Sequence, residues 1–446
     1  MARSPFPAGF LWGAATSAYQ VEGSPLADGA GASVWHRFSH QAGRIADGTT
    51  GDVACDHYRR WREDVALMAA LGLTAYRFSV SWGRVQPHGR GAANPAGLDF
   101  YRRLVEALRD AGIAPLATLY HWDLPAALDD RGGWLDRDVA GRFADYAEIC
   151  GRALDGVDLW ATLNEPWVVA DAGYRLGVLA PGRRSPAESA RALHNQLRAH
   201  ALGVAALRSV RAAGIGVAVN LEPKHPASER AEDRAAAERA DAYVNRHVLD
   251  PLLLGRYPEE LAAIYGDAWS VEHEREAAAL AAPIDWLGIN YYTRGVVRHE
   301  PTAWAGAAAV RQEGALPTEM GWEVYPPGLE ETLRGVAERY PPLPLYVTEN
   351  GAAFADPPTA GLGGIDEPLR TSYLRDHLGA VARAIAAGVD VRGYFAWSLL
   401  DNFEWAHGFT KRFGLVHVDF ATQARTPKAS ARFYADVVRS GGAALG

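Results

Sequence analysis

Short β-prone runs alternate with longer amphipathic segments along this chain, and that alternation restricts its fold more than any other feature. The β-prone runs are Phe10–Ala15, Ala75–Ser79, Pro115–Tyr120, Leu159–Leu163, Ile215–Asn220, Trp286–Asn290, Leu345–Thr348 and Tyr394–Trp397. Between them, apolar residues recur at helical spacing over Asp56–Leu71, Leu98–Ala111, Arg137–Leu154, Ala187–Ala213, Glu229–Leu253, Leu329–Tyr340 and Glu367–Ala387. In the first of these, Asp56 stands where an N-cap belongs and Gly72 where a helix stops. Eight strands, each followed by helix, predict parallel strands joined by crossovers. The expected architecture is an α/β fold, a single (β/α)8 barrel over residues 1–446, with no linker dividing it. Such a barrel needs about 250 residues. The surplus is expected in long loops that deepen a pocket, among them the Gly/Pro-rich stretch Ala355–Gly364.

Composition narrows the function by exclusion. A net charge of −8, from 45 basic and 53 acidic residues, lacks the basic stripe that a nucleic-acid partner favours. No apolar run approaches the ~20 residues that cross a bilayer, so no membrane partner is expected. Met1-Ala-Arg-Ser-Pro-Phe6 offers no apolar signal core, which predicts a cytoplasmic protein. Cys55 and Cys150 are expected to be free, and monomer and homodimer both stay open. Against this plain background stand 14 tryptophans and 18 tyrosines, flat rings that suit the apolar faces of sugars.

In a parallel barrel, function gathers at the carboxyl ends of the strands. Those ends carry Gln20 beyond strand one, Arg77 in strand two, His121 and Trp122 after strand three, and Asn164 and Glu165 closing strand four. Asn220 closes strand five, Asn290 to Tyr292 close strand six, Glu349 closes strand seven and Trp397 strand eight, with Glu404 and Trp405 beyond. Amides and carboxylates bond hydroxyls in pairs, and indoles cover a sugar's C–H face. Glu165 in Thr162-Leu-Asn-Glu-Pro-Trp167 and Glu349 in Tyr346-Val-Thr-Glu-Asn-Gly351 each end a strand at a turn. Two carboxylates across a glycosidic bond are the minimum for its hydrolysis. No metal is expected in the chemistry, since Gly13-Ala-Ala-Thr-Ser17 lacks the ligands that a metal-dependent barrel hydrolase places on strand one, and no cofactor is expected either.

The chain resembles the family 1 glycoside hydrolases, of β-glucosidase type, over essentially its whole length. The matching stretches are Phe10-Leu-Trp-Gly-Ala-Ala-Thr-Ser-Ala-Tyr-Gln20, Tyr76-Arg-Phe-Ser79, Leu119-Tyr-His-Trp-Asp-Leu-Pro125, Thr162-Leu-Asn-Glu-Pro166, Gly288-Ile-Asn-Tyr-Tyr-Thr293, Thr348-Glu-Asn-Gly351 and Ser398-Leu-Leu-Asp-Asn-Phe-Glu-Trp405. The resemblance implies a retaining β-glycosidase that releases terminal β-D-glucosyl residues, with β-galactosides and β-fucosides also open. It implies Glu165 as acid/base and Glu349 as nucleophile, with Arg77 and Tyr292 supporting the nucleophile. It implies Gln20, His121, Asn164, Glu404 and Trp405 around the sugar hydroxyls and Trp397 as the stacking platform. Trp122, Asn290 and Phe413 line the inner subsite in the same reading. The retaining route further implies carboxyl groups about 5–5.5 Å apart. Two rivals are a 6-phospho-β-glycosidase, disfavoured because Glu404 would repel phosphate, and a non-catalytic sugar binder, disfavoured because both glutamates are present. Gly83 departs from the family's usual proline and predicts a looser turn. Asp123 and Asp401 are read as serving local turns, and His194, His200 and His247 as surface or packing residues.

Overall fold

The computed structural model describes residues 4–356 and 365–445. Residues 357–364 of the Ala355–Gly364 stretch, expected to form a loop, lie outside the described residues. Eight parallel strands close into a barrel: β1 (Leu11–Ala15), β2 (Ala75–Ser79), β3 (Ala114–Tyr120), β4 (Leu159–Asn164), β5 (Ile215–Asn220), β6 (Trp286–Asn290), β7 (Leu345–Asn350) and β8 (Val391–Trp397). Each pairs with its neighbour in sequence, and β8 returns to β1 with Ala15 beside Trp397. The expected strands coincide with these, shifted by a few residues at some ends. Ala15, Ala75, Leu116, Ala161, Trp286, Tyr346 and Phe395, one each from seven strands, pack as one buried cluster within the barrel. The alternate positions, such as Tyr76 and Phe78 of β2, face outward into the larger core shared with the helices.

The helices between the strands are α1 (His57–Leu71), α2 (Pro95–Asp110), α3 (Val139–Ala153), α4 (Pro186–Ser209), α5 (Ala231–Asp241), α6 (Pro326–Arg339) and α7 (Pro368–Ala386), with α8 (Ala429–Arg439) after β8. α5 continues through a wider turn at Ala242–Arg246 into His247–Leu254. α2 and α6 begin earlier than their apolar periodicity predicts, because Pro95 and Pro326 open them. Proline is tolerated in a first turn, where its missing N–H would have had no partner. Asn94 completes α2 by accepting from the Ala96 N–H.

Three expectations need correction. Asp56 occupies the N-cap position of α1 but caps nothing: its backbone is left-handed (φ 50°), and its carboxylate pairs with Arg59 at 2.9 Å. Gly83 does not loosen its turn. A Cβ there would fall 2.6 Å from the Gly31 carbonyl oxygen, and the Gly31 N–H donates to the Gly83 carbonyl at 2.9 Å, so the missing side chain permits close docking of two loops. Asp401 reaches well beyond a local turn. It is fully buried and pairs with Lys428 at 2.8 Å and Arg412 at 2.7 Å, tying the chain after β8 to the residues before α8.

His194, His200 and His247 are buried packing residues rather than surface ones. Both cysteines are buried and free, and burial pushes their thiols far up. No helix among the described residues is long and apolar enough to cross a membrane. Among the described residues, two small sheets lie outside the barrel, one of Lys224–Pro226, Gly295–His299 and Ala307–Ala309, the other of Val416–Val418 and Arg425–Pro427.

Candidate active site

The carboxyl ends of the strands surround a cavity of about 300 Å³. Three of the ten left-handed non-glycine residues among the described residues stand there. Trp122 (φ 76°), Glu165 (φ 47°) and Trp405 (φ 47°) all take left-handed conformations, and all three line the cavity. Non-glycine residues keep such angles only where surrounding contacts impose them, and at these three positions the angle helps to aim the side chain. The Trp122 indole N–H holds the Asn164 carbonyl at 3.1 Å, and the Glu165 N–H donates to the Ala218 carbonyl at 2.9 Å. Just past Glu349, a Cβ on Gly351 would fall 1.8 Å from the Trp397 carbonyl oxygen. Only glycine lets the end of β7 close on the end of β8 and set Glu349 beside Trp397.

A short polar network fixes both glutamates. Arg77, fully buried in β2, donates to Glu349 Oε1 at 2.5 Å, to the Thr348 carbonyl at 3.2 Å and to Asn164 Oδ1 at 2.6 Å. The Tyr292 hydroxyl donates to Glu349 Oε2 at 2.7 Å. The Asn290 amide donates to Glu165 Oε1 at 2.8 Å and to Asn164 Oδ1 at 3.0 Å. Its own carbonyl accepts from Thr348, which fixes the amide's orientation. Because Asn164 Oδ1 accepts twice, Asn164 Nδ2 must face His121 Nε2, at 3.0 Å. That nitrogen is therefore the acceptor, and the His121 proton sits on Nδ1.

The two carboxylates have unequal surroundings. Burial, then the nearby Glu349 charge, pushes Glu165 up to about 8, against the weaker pull of the Asn290 amide. Burial also raises Glu349, but the Arg77 cation and the Tyr292 and Asn290 donors oppose it by favouring its charged form. With the cation on one side only, the first proton of the pair leaves from Glu349. Glu404 is a third buried carboxyl, pushed up to about 8 by burial and by Glu349. Burial and Arg77 hold His121 well below the usual imidazole range, so it is neutral.

His121, Trp122, Glu165, Asn220, Asn290, Tyr292, Glu349, Trp397, Glu404, Trp405 and Phe413 all line the cavity. The Trp122 and Trp405 rings stack 4.7 Å apart, and Trp397 lies 5.8 Å from His121. Three expected residues stand behind the wall. Arg77 and Asn164 hold the carboxylate network from below. Gln20, fully buried, donates to the Phe403 carbonyl at 3.0 Å, to Asn402 at 3.1 Å and to Glu404 at 3.4 Å, so it braces the Glu404 loop. The cavity wall adds residues that sequence reasoning missed, including Trp167, Val168, Leu179, Glu222 and Met320. Glu222, two residues past β5, was open to the strand-end rule. Leu179 and Met320 come from long loops whose placement depends on tertiary packing.

The sequence model of glycosyl hydrolase family 1 matches residues 2–443. The chain is 46% identical to beta-glucosidase A of Thermotoga maritima over 441 residues, 98% of each chain. It is 45% identical to a bifunctional beta-D-glucosidase/beta-D-fucosidase of Bifidobacterium breve, over 96% of this chain and 97% of that one. Its fold superposes with a TM-score of 0.96, at 45% identity and 99% coverage of both chains, on a Thermotoga maritima family 1 glycoside hydrolase complexed with a cyclophellitol analogue transition state mimic.

Proposed function

The chain belongs to glycosyl hydrolase family 1, and from that premise we propose how its cavity works as a β-glucosidase that retains anomeric configuration. The observation that carries the assignment is the unequal setting of two buried carboxylates in one cavity: Glu349 against Arg77 and Tyr292, Glu165 against a neutral amide.

Glu349 is the nucleophile. Its carboxylate attacks the anomeric carbon while the Glu165 carboxylic acid gives its proton to the departing glycosidic oxygen, so the aglycone leaves as a neutral alcohol. The bond formed is a glycosyl ester on Glu349. That ester carries no charge, which removes the repulsion that held Glu165 protonated. Glu165 then accepts a proton from water, the oxygen of that water attacks the anomeric carbon, and Glu349 leaves as the carboxylate. The Asn290 amide lies against both carboxyl groups, bonding Glu165 and helping to hold down Glu349, which supports the short separation this route needs.

The inner end of the cavity accepts the sugar, with Trp397 beneath it and Glu404, His121 and Trp405 toward its hydroxyls. Trp167, Trp322 and Met320 offer the outer end as an apolar platform suited to an aryl group or a second glucosyl unit, such as those of cello-oligosaccharides.

Two measurements test this reading together. A 2-deoxy-2-fluoro-β-D-glucoside with a dinitrophenyl leaving group traps the glycosyl ester, and mass spectrometry of the digested protein is expected to find the sugar on the peptide carrying Glu349. In parallel, kcat/KM over p-nitrophenyl β-glycosides is expected to be led by glucoside or fucoside, with 6-phosphoglucoside inert. A label on another residue, or turnover with no label at all, refutes the assignment of the nucleophile.

A further inference from the structure

The first loop after β1 carries a group of side chains that hydrolysis does not use. His36 and His40 lie one turn apart, in and just after the short helix Val34–Ser39, and Asp52 faces them from the far side of the loop. One potential ligand atom from each lies within 4.8 Å of the others. His36 Nδ1 stands 3.4 Å from Asp52 Oδ1, and His40 Nε2 stands 3.0 Å from Asp52 Oδ2. Neighbouring ligand atoms around a tetrahedral ion with bonds of about 2.0–2.1 Å are roughly 3.3 Å apart, and each histidine nitrogen stands at about that distance from one of the two Asp52 oxygens.

The proton positions sharpen this. His40 Nδ1 lies 2.7 Å from the His36 carbonyl oxygen, which can only accept, so Nδ1 carries the hydrogen. In the neutral ring, Nε2 then presents its lone pair to the Asp52 carboxylate. Two electron-rich atoms 3.0 Å apart need a proton or a metal cation between them. A metal-bound histidine typically has this arrangement, with its second nitrogen donating to a backbone carbonyl. His36 Nδ1 and Asp52 Oδ1 are both screened from water and make no hydrogen bond. The side chains of His36, His40 and Asp52 remain 17%, 42% and 43% exposed, which leaves an ion a route in.

A second group of similar spacing, Asp356, Asp401 and His417, differs in a decisive way. Lys428 and Arg412 already supply cations there. No lysine or arginine pairs with Asp52 among the described residues.

We propose that His36, His40 and Asp52 bind one divalent ion of the zinc class, completed by water, which ties off the first βα loop. Two imidazoles and one carboxylate favour zinc-like ions over calcium or magnesium, which prefer all-oxygen ligands. The tied segment reaches the rim of the active site. The Ala46 N–H donates to the Ala406 carbonyl at 2.8 Å, and Asp47 Oδ2 accepts from the Phe409 N–H at 2.8 Å. An ion at this point would stiffen the support of the segment that carries Glu404 and Trp405.

The test uses the full-length protein, stripped with EDTA and freed of chelator. Titration calorimetry with zinc chloride is expected to give one ion per chain with a Kd of about 10 μM or tighter. Cobalt(II) at the same site is expected to give the visible absorption of a tetrahedral centre. Zinc at about a hundredfold excess over the Kd is expected to raise the Tm by about 3 °C. His36→Ala and Asp52→Asn should each weaken binding at least tenfold and abolish the Tm shift, while basal hydrolysis shows that the variants are folded. Absence of saturable binding by the wild type overturns the proposal, because His40 and Asp52 are then a proton-mediated ion pair only. Unchanged zinc affinity in Asp52→Asn overturns it equally, because the ion is then held elsewhere.

Discussion

Glu165 and Glu349 are the same chemical group, and a few ångströms of surroundings set their different tasks. Arg77 reaches Glu349 at 2.5 Å, whereas Glu165 meets only the uncharged Asn290 amide at 2.8 Å. With Glu165 pushed up to about 8 by burial and the Glu349 charge, the free enzyme near neutrality holds an acid next to a base. The rate against pH is therefore expected to be bell-shaped, with kcat/KM falling on the alkaline side near pH 8 as Glu165 loses its proton. Glu404 titrates in the same region, so the limb needs a test of ownership. In Glu165→Gln acting on a dinitrophenyl glucoside, whose leaving group needs no proton, the alkaline limb should vanish from the glycosylation step while p-nitrophenyl substrates lose rate by about 10²-fold or more. A limb that persists at the same pH in this variant belongs to Glu404 instead, and the acid assignment fails.

Among the structural elements, the loops account for most of what the strands do not. At Gly83, a methyl group would press on the Gly31 carbonyl oxygen at 2.6 Å, with backbone rather than a flexible side chain in the way. Gly83→Ala is expected to lower stability by about 1–3 kcal/mol, read as a fall in the urea midpoint at unchanged slope. A neutral or stabilising result would show that the two loops can part freely. The same contrast between strand and loop explains what could be read ahead of the structure. The eight strands are local signals, and Glu165 and Glu349 sit where a strand meets a turn, so Asn164-Glu165-Pro166 and Glu349-Asn350-Gly351 were legible as a pair. The helix starts at Pro95 and Pro326 were hidden because proline reads as a break until its place in a first turn is known. The wall-forming Leu179 and Met320, the bracing role of Gln20 and the long reach of Asp401 depend on segments far apart in sequence. Asp401 meets Lys428 only because the chain after β8 folds back, and no local spacing encodes that contact.

Across the whole molecule, buried titratable groups oppose one another in setting how stability depends on pH. Burial pushes Glu165 and Glu404 up to about 8 and Asp123 up to about 7. Burial also lowers His200 and His273 to about 4 and His247 and His377 to about 3, and holds His121 well down. Unfolded carboxyls titrate near pH 4 and unfolded imidazoles near 6.5. Between pH 6.5 and 8 the folded state holds protons on its buried carboxyls that the unfolded chain has lost. Stability from this source is fully present below about pH 4, is lost progressively as pH rises and is gone above about pH 8, with about 3 kcal/mol of the loss for Glu165 and Glu404 together falling between pH 6.5 and 8. Below pH 6.5 the sign reverses, because the unfolded chain protonates imidazoles that the folded state keeps neutral. Eight histidines are lowered against six carboxyls raised, because His36, His194 and His407 join the five above and Asp129, Asp250 and Glu349 join the three, and the carboxyl contribution stops growing below about pH 4 while the histidine loss continues toward about 3. Stability is therefore expected to peak near pH 6.5 and to fall on both sides, most steeply in acid. Urea midpoints by circular dichroism at pH 4.5, 6.5 and 8 measure this directly. Glu404→Gln, which fixes that site in an uncharged form, should raise the midpoint at pH 8 relative to the wild type while weakening sugar binding. A wild-type midpoint that stays level or climbs from pH 6.5 to 8 would mean that these carboxyls are ionised in the folded protein, and the acid role of Glu165 would lose its physical basis.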